Sequence, residues 1–224
     1  MPGAQVTLQG KLEQVLSRLL GEEIEVSASG RTDAGTHAAN QVVSFHCNSA
    51  MPCEEILSGL RQYLPEDIGV YSCKNVSPRF HARLNAKEKT YRYRVWNSDE
   101  PCVFDRKYVH IDPRTLDLDA MCVAAKDYLG SHDFSAFCGN KNMKKSTVRS
   151  ISDFTITKVG NEIVFTVTGN GFLQHMVRIM VGTLLEIGRG ERAIDNIPSL
   201  YSCERALAGA AVPACGLCLM EVFY

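Results

Sequence analysis

The chain has 224 residues, 45% of them apolar and 22% charged, with 24 basic side chains against 25 acidic ones for a formal net charge of −1. That composition excludes disordered and fibrous classes and leaves enough length for one large or two small cores. It also excludes arguing a nucleic-acid partner from total charge, so such a partner would need a local basic surface.

No apolar run approaches the roughly 20 residues that cross a bilayer, and MPGAQVTLQGK lacks the charged and apolar regions of a signal peptide. The expected location is the cytoplasm, with no membrane. Nine cysteines is an odd number, mostly single residues in apolar surroundings, which argues against a disulfide framework. Cys215 and Cys218 have CxxC spacing, but no second pair or nearby His completes a tetrahedral zinc site, so no metal is expected.

In chain order, Leu8, Leu12, Val15, Leu16, Leu19 and Leu20 form a stripe at helical spacing between the N-cap candidate Thr7 and the stop Gly21, predicting a helix over 8–20. A strand is predicted over 23–29, a tight loop over 30–37 (GRTDAGTH) and a second strand over 41–47. Pro52 opens a helix to about Leu64, and 67–76 reads as a strand. Over 86–97, Tyr91, Tyr93 and Val95 alternate with Arg92, Arg94 and Trp96, which is strand periodicity. An amphipathic helix over 117–130 leads into a long Gly/Asn/Lys-rich connection over 131–147. Strands over 148–158 and 162–169 join through Gly160-Asn161, an apolar helix follows over 172–187, and the last strand is 216–224. The element order of 117–224 echoes that of 1–97, so the pattern predicts an α+β protein of two sheet modules, an N-terminal one over 1–105 and a C-terminal one over 106–224.

The sharpest chemical pattern is Asp33 held between Gly30 and Gly35 on a loop between two strands. By itself it fits an Asp capping its own loop amides better than a carboxylate presented to a substrate. The whole string, however, resembles the GRTDAGVHA motif of the TruA family of tRNA pseudouridine synthases, with Thr36 where Val is usual. Five further segments match that family in order: Phe80-His81-Ala82-Arg83; Lys89-Thr90-Tyr91-Arg92-Tyr93; Asp133-Phe134-Ser135-Ala136-Phe137; Gly169-Asn170-Gly171-Phe172-Leu173-Gln174-His175-Met176-Val177-Arg178; and Gly216-Leu217-Cys218-Leu219.

The resemblance implies the pseudouridine synthase fold: two mixed sheet modules with helices packed on one face, forming an extended sheet with a central active-site cleft. It implies a cofactor-free isomerase that detaches uracil from C1′ of a uridine in tRNA and rejoins it through C5. The family name places the target at positions 38–40 of the anticodon stem-loop. Asp33 is then the essential carboxylate, and three routes are open for it: attack on the sugar, addition to the ring, or removal of a ribose proton. Arg178 is the expected ionic partner that keeps Asp33 charged. Tyr91 is expected against the flipped uracil and Leu217 along its pocket, although core packing accounts nearly as well for a leucine in a strand. Arg31 and Arg83 are expected to meet phosphates, while Lys141, Lys144, Lys145 and Arg149 fit either phosphate contacts or a solvated loop.

A homodimer is expected by the same resemblance. Family members carry a strand and a GWQ-type segment ahead of the first helix, and neither precedes Val6-Thr7-Leu8-Gln9. A tRNA-binding protein without activity is the alternative that this departure raises, against which Asp33, Tyr91 and Arg178 together argue. A carboxylate-based glycosidase ranks below both, because no second acid is marked.

Overall fold

A computed structural model describes residues 7–140, 142–201 and 203–224. The described chain separates into two compact units. The smaller takes in the residues through Arg31 together with Val42–Asn85, and the larger Thr32–Gln41 together with Ala86–Tyr224.

In the smaller unit, helix α1 (Leu8–Leu20) begins where expected: the Thr7 hydroxyl accepts from the Gly10 amide at 3.0 Å. Helix α2 is Cys53–Tyr63. Leu16, Ile24, Val26, Ile56 and Leu60 form a core that Leu12, Leu19 and Phe45 border. The predicted strands over 23–29 and 41–47 reduce to a short antiparallel pair, β1 (Ser27–Ala28) and β3 (Val43–Ser44). The Ser29 amide still bonds the Val42 carbonyl on that side. On the alternate residues of β1's approach, side chains of α1 stand in for a neighbouring strand. Ser17 accepts from the Ile24 amide at 2.9 Å, Glu13 from the Val26 amide at 3.0 Å, and Gln9 donates to the Val26 carbonyl at 3.2 Å. Extended backbone thus meets its hydrogen-bond demand without a ladder. The strand expected over 67–76 is corrected for a similar reason. Its Val70 and Tyr71 carbonyls are taken by the Arg61 guanidinium, each at 2.9 Å, and the segment joins no sheet.

The larger unit holds one seven-stranded mixed sheet. Its strands are β2 (His37–Ala38), β4 (Glu88–Trp96), β5 (His110–Ile111), β6 (Gly130–Asp133), β7 (Val148–Val159), β8 (Glu162–Gly169) and β9 (Leu217–Phe223). They run in the order β2-β9-β4-β8-β7-β6, with β5 beside β4. The expected α+β class stands, with the sheet concentrated in this unit and, among the described residues, the β1–β3 pair in the other. The long connection expected over 131–147 is shorter than predicted. Gly130–Asp133 pairs with β7, and the Asp133 carboxylate accepts from the Ser135 amide and the Thr147 hydroxyl.

Helix α3 is Leu118–Ala125, capped by Asp117 and ending in a 3-10 turn, and packs on β7. Helix α4 is Met176–Gly188 and is almost wholly buried. It starts four residues later than the periodicity predicts, because His175 takes a left-handed conformation (φ 60, ψ 4) that no helix accommodates. The β-strand alternation places Tyr91, Tyr93 and Val95 of β4 and Ile163, Phe165 and Val167 of β8 in the core.

The core tyrosines titrate abnormally. Burial, and then the nearby Asp33 charge, push the Tyr91 phenol up to about 12, and burial also raises Tyr93 and Tyr128. A phenol whose folded value lies above its unfolded value of about 10 stabilises the fold fully below that pH and loses the contribution as pH rises through the folded value. Unfolding free energy should therefore hold to about pH 10 and fall above it. Tyr91→Phe should flatten the part of the fall between about 10 and 12, checked by denaturant melts across that range.

Thr36 enters β2 with its hydroxyl buried and without a partner among the described residues. Valine has the same shape and no hydroxyl to desolvate, so Thr36→Val should stabilise the fold by about 1 kcal/mol, read from the denaturation midpoint.

Candidate active site

The Asp33 loop closes on itself through the Thr36 amide, which donates to the Asp33 carbonyl at 3.1 Å, and Gly35 turns the chain at φ 80. The loop is then fixed by the sheet. β2 runs parallel to β9, pairing His37 with Cys218 and Ala38 with Leu219, and the Ala39 amide bonds the Leu219 carbonyl at 2.8 Å. The strand that carries the expected pocket residue Leu217 thereby also anchors the loop that carries Asp33.

Asp33 meets Arg178 as expected. Arg178 Nη1 donates to Asp33 Oδ2 at 3.1 Å, with the two side chains 15% and 27% exposed respectively. Arg178 is also held from behind: its Nε donates to the Val212 carbonyl at 2.6 Å, and the Val212 amide donates to the Arg178 carbonyl at 3.3 Å. The segment over 208–213 lies tight against α4. A side chain at Gly182 would run into the Ala210 carbonyl oxygen, so only glycine admits the segment there. The Tyr93 hydroxyl donates to the Pro213 carbonyl at 2.7 Å, securing the same segment from β4. Tyr93 is fully buried, so its core role is joined to a hydrogen bond one residue from the Arg178 anchor.

Tyr91 sits in β4 opposite Val167 and Leu219, 8% exposed, with its ring edge-on to Phe172 at 5.1 Å between centroids. Its raised phenol value means that it presents a neutral hydroxyl at working pH, and the Asp33 contribution to that shift places it within the field of the carboxylate. Leu217 is buried in β9 opposite Tyr93. Asp33, Tyr91, Arg178 and Leu217 all belong to the larger unit, and Arg31 and Arg83 to the smaller, where both are exposed. Among the loop cations, Lys144 and Lys145 are exposed and Lys141 lies outside the described residues. Arg149 spends Nη1 on the Ser146 and Val148 carbonyls, which leaves less of it for a phosphate.

His175 is the site residue that the sequence reading does not single out. Its Nε2 lies 3.4 Å from Asp33 Oδ2. Its place in the GNGFLQHMVR string, three residues before Arg178, was the available signal. Phe172 against Tyr91 comes from the same string.

Cys215 donates toward the Val109 carbonyl, Cys218 lies in β9, and among the described residues no cluster of three or more His, Cys, Asp or Glu could hold a metal ion. A cavity of about 210 Å³ borders α4 and the segment over 210–213, lined by His110, Asp112, Gly182, Arg189 and Val212 among others. Its buried Asp112 is paired with Arg114 at 2.7 Å and Arg189 at 3.3 Å, so the charges there are matched among themselves, separately from Asp33.

Comparison with known proteins shows the family. A family model described as tRNA pseudouridine synthase matches residues 124–224. The tRNA pseudouridine synthase A of Brevibacillus brevis is 42% identical over 221 residues, covering 98% of this chain and 91% of that protein. The tRNA pseudouridine synthase A 1 of Clostridium tetani is 45% identical over 220 residues, covering 98% and 90%. The tRNA pseudouridine synthase A of Halalkalibacterium halodurans is 44% identical over 213 residues, covering 94% and 81%. With identity of that level across at least 94% of this chain and 81% or more of each relative, this protein belongs to the tRNA pseudouridine synthase A family.

Proposed function

We propose that the protein isomerises uridine to pseudouridine at positions 38–40 in the anticodon stem-loop of tRNA, as a cytoplasmic homodimer, with Asp33 as the reactive carboxylate. The observation that carries this reading is the Asp33–Arg178 pair. A carboxylate that must stay ionised while a flipped base excludes water needs a fixed cation, and Arg178 meets Asp33 at 3.1 Å while its own orientation is set by the Val212 carbonyl.

The reaction breaks the C1′–N1 bond, forms C1′–C5 and releases the hydrogen carried by C5. In this reading Asp33 faces the ribose or the base edge of an extruded nucleotide. Tyr91 offers a neutral phenol and an aromatic ring braced edge-on by Phe172, a surface that replaces the stacking a base loses on leaving the helix. Leu217 supplies apolar wall to the uracil pocket. Arg31 and Arg83, both exposed, are the proposed phosphate contacts, which position the RNA without reading its sequence.

Hydrogen release from tRNA tritiated at uracil C5 tests the reading. The parent chain should release tritium, and Asp33→Ala should slow release by ~10³-fold or more while still binding tRNA. A wild-type chain that binds tRNA and releases none would instead identify a binding protein. Arg178→Lys keeps the charge but loses the planar fork that reaches the Val212 carbonyl and Asp33 together, so kcat in the same assay should fall on the order of 10²-fold.

A further inference from the structure

His175 stands at the entry to α4 with no part in the function proposed above. Its conformation is costly: it is the one non-glycine residue with positive φ among the described residues. A residue entering a helix ordinarily uses its side chain to cap the free amides, and Ser, Thr, Asp or Asn does so best. His175 gives its α4 no side-chain cap. Strain of this kind persists where the surroundings impose it, and it concentrates at working sites.

The surroundings show what the strain accomplishes. The left-handed turn points the imidazole at the carboxylate, with Nε2 3.4 Å from Asp33 Oδ2. The other edge of the ring rests against Gly139, whose amide bonds the Gln174 carbonyl at 2.8 Å. A Cβ on Gly139 would come within 2.5 Å of His175 Nδ1 and 3.0 Å of Cγ. The neighbouring segment is therefore cut back to glycine where the ring sits. One turn along, Arg178 reaches the same Oδ2 from its own side. The Arg178 hydrogen bond falls on Oδ2, which is also the carboxylate oxygen nearest to His175 Nε2.

We propose that His175 is a positioning residue that, together with Arg178, pins Asp33 by Oδ2 so that Oδ1 is presented to the nucleotide. This rests on the reading of Asp33 as the reactive carboxylate. A carboxylate held by a single contact can rotate about its Cβ–Cγ bond and exchange its oxygens. Two contacts from different directions on one oxygen fix which of them faces the substrate. The role is one of geometry, so it belongs to kcat and leaves tRNA affinity alone.

The test is steady-state tritium release by the full chain carrying His175→Gly, Gly139→Ala, or both, with Asp33→Ala measured alongside. His175→Gly should lower kcat on the order of 10²-fold with KM for tRNA within about threefold of the parent. Gly139→Ala should lower kcat similarly by displacing the ring. Combined, the two should lose no more than His175→Gly alone, because without the ring the added methyl has nothing to displace. His175→Asn, which tolerates the left-handed conformation but is too short to reach Asp33, should reproduce the His175→Gly loss and guards against misfolding of the glycine variant.

A kcat within threefold of the parent for His175→Gly or His175→Asn would overturn the proposal. So would a double variant whose losses multiply, or a loss appearing only in KM. If Asp33→Ala itself retained activity, the reading of Asp33 would fall; if Asp33→Ala were inactive and the His175 variants normal, only the role of His175 would fall.

Discussion

A carboxylate and a guanidinium, both largely withdrawn from water, have to find each other from positions 145 residues apart, and much of the larger unit is organised around keeping them together. Leaving one member of such a pair without its partner costs roughly 3 kcal/mol or more when burial is complete, less with the residual exposure seen here. Asp33 is brought in by β2, which hydrogen-bonds to β9; Arg178 is brought in by α4, whose buried face packs on the sheet. Sheet and helix thus deliver opposite charges to one point.

The helix alone would not fix the guanidinium, because an arginine side chain has many rotamers. The segment over 208–213 removes that freedom. It approaches α4 closely enough to require Gly182, offers the Val212 carbonyl to Arg178 Nε, and is tied to β4 by the Tyr93 hydroxyl. Tyr91 and Tyr93, two residues apart and on the same face of one strand, consequently do different work. Tyr91 packs edge-on against Phe172 and feels the carboxylate's charge, while Tyr93 braces the backbone that braces the arginine. The buried orphan hydroxyl of Thr36 lies in the same loop as Asp33, at the position where the family usually has valine, and marks a local departure that leaves the pairing intact.

Much of this was readable in the residues themselves. The stripe from Leu8 to Leu20 and its Thr7 cap, and the alternation from Tyr91 to Trp96, depend on local spacing and local hydrogen bonds, and both appear as expected. The Asp33–Arg178 contact was legible only through the family motifs, since nothing in local sequence links the two. Where expectations failed, the decisive partner was a side chain remote from the segment concerned. Residues 67–76 have strand-like composition, but Arg61 takes the Val70 and Tyr71 carbonyls that a neighbouring strand would have used. Helix α4 starts late because His175 is turned toward Asp33, a tertiary demand that apolar periodicity does not register. Gly139 looks like loop composition and proves to be clearance for a ring.

The row Gln9, Glu13 and Ser17, spaced four residues apart along one face of α1, has a consequence beyond the smaller unit's own hydrogen bonds. A strand edge with open amides and carbonyls is a template onto which another chain can add, in pairing that leads to aggregation. Here the Ile24 amide and both the amide and the carbonyl of Val26 are already occupied by the row. The helix therefore acts as a guard on sticky backbone, and the polar residues that interrupt its apolar stripe protect solubility as much as they complete the fold.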